Sequence, residues 1–188
     1  MKKLVLNLLF AMPFVAVSQF TTTNPDTVCY HTAGSKYAVP SLGAGYTYTW
    51  TVAAPGVIVG GQGTDSLKVD WSTAPVGLIP NAISVIAENS TGCASQPVTV
   101  SVFILNIVPS ITAIGPFCAN EPCVALTATP TPGVWTGAGV VNGEFCPNTV
   151  AAGTHNITYT ITKNGCVFST ISTVDVNSAP VLLPISHN

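Results

Sequence analysis

This 188-residue sequence has very few charged residues: five lysines, seven acids and no arginine, together 6% of the chain. Its formal net charge is −2. A protein that binds nucleic acid neutralises phosphates with clustered lysine and arginine side chains, and anionic membrane surfaces attract the same basic residues. The sequence therefore predicts that neither nucleic acid nor an anionic membrane surface is a partner.

The sequence also lacks a hydrophobic run long enough to cross a membrane as a helix, which needs roughly 20 apolar residues. The longest run, Leu4–Val17, is shorter and is interrupted by Pro13. Two lysines precede it and the small residues of Ala16-Val17-Ser18 end it, which is the order of a secretory signal peptide. We predict that residues 1–18 are cleaved and that the mature protein is secreted to the cell surface or beyond, with the periplasm as the alternative.

Motifs for catalysis or cofactor binding are missing as well. The three histidines, His31, His155 and His187, are scattered, and the seven acids are dispersed. Neither arrangement suggests a serine–histidine–acid triad or a pair of catalytic carboxylates. Gly61-Gln62-Gly63 lacks the lysine and the following helix of a phosphate-binding loop, so we interpret it as a hairpin turn. The prediction is a protein that is not an enzyme and that has no cofactor.

What the sequence does contain is the alternation of β-strands. In Tyr46–Val52, aromatic and aliphatic residues alternate with threonines, and this period of two is typical of a half-buried strand. Thr154–Thr162 repeats the pattern, with isoleucines and a tyrosine on its apolar face. No stretch shows convincing helical periodicity. The predicted fold class is therefore all-β, with sheets packed face to face.

Turn signals separate about seven strands in the first part of the chain, with a spacing of about 8–12 residues that is typical of a β-sandwich. These strands are Thr27–His31, Lys36–Val39, Tyr46–Val52, Val57–Val59, Ser66–Trp71, Ala82–Glu88 and Pro97–Leu105. Ser72–Pro80 is predicted to be a looser crossing between sheets.

A second group of strands begins near Asn106. Its predicted members are Val124–Thr129, Val134–Thr136, Val140–Phe145, Thr154–Thr162 and Cys166–Val176, the last two joined by an Asn164-Gly165 hairpin turn. A mature chain of about 170 residues suits two small domains. We predict two β-sandwiches, 19–105 and 106–177, followed by a C-terminal tail, 178–188.

These residues carry a resemblance to known repeats. The motifs of the first unit are Cys29, Tyr37, Tyr48-Thr49-Trp50, Gly61-Gln62-Gly63-Thr64, Val69-Asp70-Trp71 and Gly92-Cys93. Those of the second are Cys118, Gly133-Val134-Trp135-Thr136-Gly137, Ile157-Thr158-Tyr159 and Gly165-Cys166. With them the chain resembles the tandem PKD-like and immunoglobulin-like repeats of secreted, gliding-associated or adhesive surface proteins of Bacteroidota. The resemblance implies a PKD-like first domain and an Ig-like second domain in an extracellular setting.

Six cysteines in an exported chain predict disulfide bonds that stabilise two small cores. Our predicted pairs are Cys29–Cys93, Cys118–Cys166 and Cys123–Cys146. Six cysteines permit 15 connectivities, so the sequence leaves the pairing open. The alternative for the last four cysteines is a zinc site with four thiolate ligands. Because export favours oxidation, we predict disulfides and no metal.

Four further residues are candidates for contact with sugars. Trp71 and Trp135 could stack on sugar rings if they are exposed, although core packing is the commoner role of tryptophan. Thr27 in Asp26-Thr27-Val28 and Ser66 in Asp65-Ser66-Leu67 resemble the acceptor motif for O-linked glycans on exported Bacteroidota proteins.

Together these features predict a non-catalytic, secreted structural or adhesion protein of the cell surface. Its expected partners are envelope or surface proteins, including further copies of itself. The alternative is a carbohydrate-binding module that uses exposed aromatic residues, with a glycan as the partner.

Overall fold

The computed structural model describes residues 24–181, and it consists almost entirely of β-strands. The only helical element in this part of the chain is one 3₁₀ turn, Pro147–Thr149. None of the described residues form a helix that could cross a membrane. The predicted signal peptide, 1–18, and residues 182–188 of the predicted tail lie outside the described residues. The all-β fold class is confirmed.

Seven strands form the first sandwich. They are β1 (Asp26–Cys29), β2 (Ser35–Ala38), β3 (Tyr46–Val52), β4 (Val57–Gly60), β5 (Ser66–Asp70), β6 (Gly77–Asn89) and β7 (Val98–Leu105). One sheet has the order β1-β7-β6-β3, and the sheet facing it has the order β2-β5-β4. Strand β1 is parallel to β7, whereas the other neighbours are antiparallel.

The alternating strand β3 supplies the centre of the first core. Tyr48 and Trp50 are each only 4% exposed, while the threonines that alternate with them face solvent. Leu67, Val69 and Trp71 point inward from the opposite sheet and are 1% exposed or less. Apolar side chains from two layers thus meet between the sheets, which removes their surface from water and drives the packing.

The Gly61-Gln62-Gly63 turn covers the free edge of β3. The side-chain Oε1 of Gln62 accepts a hydrogen bond from the Trp50 backbone N–H at 3.2 Å, and Nε2 of Gln62 donates to the Trp50 carbonyl at 3.1 Å. The glutamine amide therefore takes the place of a neighbouring strand and satisfies an edge that would otherwise be open to another chain. Gly61 has φ +90°, and a Cβ there would collide with the Ser66 carbonyl oxygen.

Strand β6 is longer than predicted. We expected a loose crossing up to Pro80, but the strand begins at Gly77 and continues past the proline. A register shift between Ile79 and Ile83 forms a bulge, and Asn81 within it has φ +47° and donates its backbone N–H to the Ser101 hydroxyl. A bulge lets a strand accommodate a residue that cannot donate to the ladder, and this explains the difference.

The second group contains nine strands of 2 to 12 residues. They are β8 (Ser110–Ile111), β9 (Phe117–Cys118), β10 (Val124–Ala125), β11 (Ala128–Thr129), β12 (Val134–Gly137), β13 (Val140–Val141), β14 (Glu144–Phe145), β15 (Gly153–Lys163) and β16 (Cys166–Asn177). The main sheet has the order β12-β15-β16-β9; smaller sheets are β10-β14-β13 and β11-β8. We call the last strand of each sandwich, β7 or β16, its closing strand. A short strand runs parallel to the closing strand in both sandwiches, β1 beside β7 and β9 beside β16.

Two strands that we predicted as continuous are each divided in two. Within Val140–Phe145, Asn142 and Gly143 have φ values of +50° and +84° and form a tight turn between β13 and β14. The Asn-Gly pair is itself a hairpin signal that the sequence analysis did not use. Within Val124–Thr129, β10 pairs with β14 and β11 pairs with β8, so the chain changes sheets between them.

The two groups of strands have separate hydrophobic cores. The buried residues of the first group form one cluster around Trp50 and Trp71. Those of the second form two clusters, one around Phe145 and Ile157 and one around Tyr159. None of these three clusters contains buried residues from both groups, so each group buries its own apolar surface.

Candidate functional site

All six cysteines lie within the described residues, and they form two disulfide bonds. Cys123 is bonded to Cys146, which is the third of the predicted pairs. The other two predicted pairs are wrong, because Cys29 is bonded to Cys166. Cys93, which is exposed, and Cys118, which is half-buried, remain as thiols.

The parallel strand beside each closing strand explains this correction. Cys29 is opposite Leu105, the last residue of β7, whereas Cys93 precedes the first residue of that strand. Eight residues of strand extend roughly 25 Å, and a disulfide requires Cα atoms within about 7 Å. A Cys29–Cys93 bond is therefore geometrically impossible.

The second wrong pair fails for the same reason. Cys118 is opposite Asn177 at the end of β16, and Cys166 is the first residue of that strand. The twelve residues of β16 span roughly 36 Å from end to end. In both sandwiches, the two cysteines that sequence order suggests as partners lie at opposite ends of the closing strand.

The Cys29–Cys166 bond connects the two sandwiches. It joins the end of β1 to the tip of the β15–β16 hairpin, where Asn164 and Gly165 turn the chain with φ values of +49° and +79°. The side-chain amide of Asn164 also donates a hydrogen bond to the Thr27 hydroxyl at 3.4 Å. We refer to Thr27, Cys29, Asn164 and Cys166 as the junction.

The junction lies beside the polypeptide that links the sandwiches. Cys29 is in register with Leu105, and the N–H of the next residue, Tyr30, donates to the Leu105 carbonyl at 2.9 Å. The chain leaves the first sandwich immediately after Leu105. Two covalent connections, the linker and the disulfide, therefore meet at one end of the first sandwich, and no strand of one group packs along a strand of the other among the described residues.

Trp71 is not available to a ligand. Its side chain is 0% exposed, and its Nε1–H donates a hydrogen bond to the Tyr37 hydroxyl at 3.1 Å. The prediction that Trp71 stacks on sugars is corrected: it is a core residue, because the face of β5 that carries Leu67 and Val69 continues to Trp71 and points into the sandwich.

Trp135 lies on the surface of the second sandwich. It is half-buried on β12, with its ring centroid 4.6 Å from that of Tyr159. The Tyr159 hydroxyl donates to the Pro130 carbonyl at 2.9 Å, which holds the tyrosine in place. These two rings line a shallow groove of about 360 Å³ together with Leu126, Thr127, Ala128, Thr131, Pro132 and Gly133. A Cβ at Gly133 would collide with the Tyr159 ring, so the groove depends on this glycine.

Two ionisable groups in the first sandwich have shifted pKa values. Burial raises the pKa of Tyr37, and the nearby charge of Asp26 raises it further. The backbone N–H of Ser72 donates to the Asp70 carboxylate at 2.7 Å and lowers the pKa of that group. Tyr37 contacts the core tryptophan Trp71, and Asp70 begins the turn after β5. Both shifts therefore reflect local folding of this sandwich.

The predicted glycan acceptors differ in accessibility. Ser66 is exposed at the start of β5, whereas Thr27 is half-buried on β1 and accepts the hydrogen bond from Asn164. A glycan on Thr27 would have to fit beside the junction. O-glycosylation at both positions stays a prediction.

The histidines do not lie together. His31 Nδ1 is 2.8 Å from the Ser72 carbonyl, and His155 Nε2 is 2.8 Å from the Ala151 carbonyl. His187 lies outside the described residues. Within residues 24–181, no group of three His, Cys, Asp or Glu side chains is arranged to hold a metal ion.

Sequence reasoning missed the junction because it paired cysteines within each predicted domain. A usable signal was present: each unit has one cysteine at the end of an early short strand, β1 or β9, and one after the glycine of the turn that leads into its last strand. Because that short strand is parallel to the last strand, these two positions are a full strand apart. A disulfide between these two cysteines of one unit is then excluded by distance, and a disulfide between one unit and the next is the alternative.

Comparison with known proteins matches residues 15–102 to the PKD-like domain. No curated protein matches the chain. Among solved structures, the fibronectin(III)-like modules of Clostridium thermocellum CbhA are 16% identical, with 90% of this chain and 98% of that chain covered and a TM-score of 0.38. Extracellular domains 3–5 of Drosophila OTK are 15% identical, with 83% and 59% covered and a TM-score of 0.37. The titin domains z1z2, solved in complex with telethonin, are 13% identical, with 83% and 93% covered and a TM-score of 0.29.

The PKD-like match covers most of the first group of strands, β1 to β6 and part of β7. There the structure has two facing sheets around a single core. The first half of this all-β chain is therefore similar to the PKD-like domain, a β-sandwich module of the kind typical of extracellular structural or interaction proteins.

Proposed function

We propose that this protein is a secreted, non-catalytic structural or adhesion protein of the cell surface that acts through protein–protein contacts. Its units are residues 19–105 and 106–177, preceded by a signal peptide and followed by a short tail. Its partners are cell-envelope or surface proteins, including further copies of itself. A source in Bacteroidota, which the sequence resemblance implies, belongs to this proposal.

The observation that carries the proposal is the Cys29–Cys166 bond. Domains joined by a single linker move relative to one another unless a large interface holds them. Here the disulfide and the Asn164–Thr27 hydrogen bond restrain the linker at the point where it leaves the first sandwich. This arrangement suits a protein whose task is to hold two surfaces at a set spacing. Disulfides also persist in oxidising compartments outside the cytosol, which supports secretion.

The first test is where the native protein lies. We expect protease added to intact cells to degrade it as completely as protease added to lysed cells, because a surface protein is reachable from outside. Chemical cross-linking of the same cells should then recover envelope proteins or further copies of this chain. A cytosolic protein that stays intact until lysis is the control. Protection of this protein in intact cells would contradict a surface location.

A second candidate function is carbohydrate binding in the Trp135 groove. The half-buried Trp135 lines the groove against the buried ring of Tyr159, and aromatic faces pack against the apolar faces of sugar rings. It is the alternative because the residues that line it include no charged side chain and few polar ones to fix the orientation of a sugar.

A glycan array with three proteins tests this candidate. The carbohydrate hypothesis predicts that wild type binds a defined glycan and that Trp135→Ala binds it about tenfold less tightly, which corresponds to an aromatic contact of roughly 1.4 kcal/mol. Val134→Ala is the matched control, since Val134 is the neighbouring residue on β12 and is 64% exposed. Absence of any glycan bound by wild type, or equal loss in both variants, would rule the groove out.

A further inference from the structure

Two cysteines of this exported chain, Cys93 and Cys118, have no disulfide partner in the structure. The two other cysteines that occupy matching places in the fold are bonded to each other. Each of the two free cysteines has a structural equivalent in the other sandwich.

Cys118 of the second sandwich is equivalent to Cys29 of the first. Each ends the short strand that runs parallel to a closing strand, and each is opposite the last residue of that strand, Asn177 for Cys118 and Leu105 for Cys29. The hydrogen bonds that follow are also the same. The residue after the cysteine donates its N–H to the carbonyl of that last residue, at 2.9 Å in the first sandwich and 2.8 Å in the second.

Cys93 of the first sandwich is equivalent to Cys166 of the second. Each follows a glycine with positive φ in the turn that leads into the closing strand, +85° at Gly92 and +79° at Gly165. Their surroundings differ. Cys166 is bonded to the first sandwich and is 1% exposed, whereas Cys93 lies on an exposed turn.

The bond in the structure therefore follows a rule. The cysteine beside the end of the closing strand in one sandwich is bonded to the hairpin cysteine of the sandwich that comes next. Cys118 is a cysteine of the first kind and Cys93 is one of the second kind, and neither has a disulfide partner among the described residues. The same rule applied between two molecules pairs Cys118 of one with Cys93 of another.

Pairing of Cys93 with Cys118 inside one molecule does not fit the strand directions. Cys93 precedes the start of β7, and the other end of β7 is at the junction. Cys118 is beside the end of β16, and the start of β16 is at the junction. The two thiols are thus separated from the junction by strands of roughly 25 Å and 36 Å, and no strand of the first sandwich packs along the second among the described residues.

We propose that Cys118 of one copy forms a disulfide with Cys93 of a second copy, linking the protein head to tail. The contact is heterologous, because the two surfaces differ, and such contacts generate open chains unless the rotation closes a ring. If every molecule forms this bond with the next, the result is a chain of sandwiches in which each connection between molecules has the geometry of the Cys29–Cys166 junction. The proposal rests on the structural role proposed above and names a partner for it.

The chemistry is oxidation of two thiols by an external disulfide, either a small-molecule disulfide or a dithiol oxidoreductase of the exporting compartment. The Cys93 thiolate attacks one sulfur of that disulfide, which releases one thiolate and leaves a mixed disulfide on Cys93. The Cys118 thiolate of the second copy then attacks the Cys93 sulfur and releases the other thiolate. Two protons and two electrons leave the protein thiols, and the oxidant is reduced to two thiols.

The test is oxidation of the purified exported protein with a mixture of oxidised and reduced glutathione. We expect a ladder of dimers, trimers and longer species on non-reducing gels that returns to monomer with dithiothreitol. Cys93→Ser mixed with Cys118→Ser should stop at a dimer, because each variant keeps one end. Peptide mass spectrometry of that dimer should find the Cys93–Cys118 cross-link in excess over either symmetric pair.

Three results would overturn the proposal: wild type that stays monomeric, symmetric cross-links that dominate the mixed sample, or a ladder that persists in the double serine variant. Equal circular dichroism spectra of the variants and wild type serve as the folding control. The surface-protease experiment separates this proposal from the proposed function. If wild type and the double serine variant are both found at the surface, and both as monomers, the head-to-tail disulfide is contradicted and the proposed surface function is not.

Discussion

Replacing Trp71 with alanine is expected to lower the free energy of unfolding of the first sandwich by about 4 kcal/mol, as for other buried aromatic residues. Trp71 is the largest fully buried side chain among residues 24–181, and it lies against the Tyr37 hydroxyl and close to Gly56, where an added Cβ would collide with the indole ring. The truncation would leave a cavity and remove the hydrogen bond that Trp71 donates to the Tyr37 hydroxyl. Because small domains have total stabilities of about 5–15 kcal/mol, the loss approaches the stability of the whole sandwich.

Urea unfolding followed by far-ultraviolet circular dichroism measures this effect. Trp71→Phe is the matched control: it keeps most of the apolar volume but removes the Nε1–H donor, so we expect a loss of about 1–2 kcal/mol. Trp135→Ala should leave the transition of the first sandwich unchanged, because Trp135 contacts only the second core. A loss below about 1 kcal/mol for Trp71→Ala, within the range of surface substitutions, would show that Trp71 is not a core residue.

Removal of the junction disulfide by Cys29→Ser with Cys166→Ser is the second large effect. The bond closes a loop with a sequence separation of 137 residues, for which the chain-entropy estimate is about 5 kcal/mol. Since the two sandwiches have separate cores, we expect unfolding to divide into two transitions. Small-angle scattering should at the same time show a wider range of particle dimensions, because the linker alone then connects the sandwiches.

The substitutions are best made with Cys93 and Cys118 already changed to serine, so that no thiol remains to exchange. Cys123→Ser with Cys146→Ser is the control within one sandwich: its sequence separation is 23, which gives about 3 kcal/mol by the same estimate. That loss should appear only in the second sandwich, and the scattering profile should not broaden. Identical scattering with and without the Cys29–Cys166 bond would contradict the role we assign to the junction.

The elements that could be predicted are those specified by local pattern. Strand β3 has the predicted bounds, Tyr46–Val52, because alternation of large apolar residues with threonine has one stable arrangement on a half-buried sheet. The Asn164-Gly165 hairpin is also where it was expected, since this pair readily adopts positive φ at both residues. Trp71 was open to two interpretations, because alternation shows that a residue shares a face with its neighbours and does not show how completely that face is covered.

The cysteines show where local pattern ends. Their number and the predicted export of the chain together predict disulfides, and the Cys123–Cys146 bond joins cysteines that are close in sequence. For Cys29 and Cys166, the partner is determined by which strand lies beside β1. That neighbour is β7, whose paired residues are 76 positions away in sequence, and its parallel direction carries Cys93 to the far end of the sandwich.

The amino-acid sequence by itself determined that this protein is all-β, poor in charge, and built from two repeated units with a cysteine at each end. Periodicity and composition suffice for this, because they act over a few neighbouring residues. Only the tertiary structure decided which cysteines meet, that Trp71 is buried, and that the two sandwiches are bonded to each other. Those outcomes depend on the order and direction of strands brought together from distant parts of the chain, and the free energy that selects them comes from packing that no local segment contains.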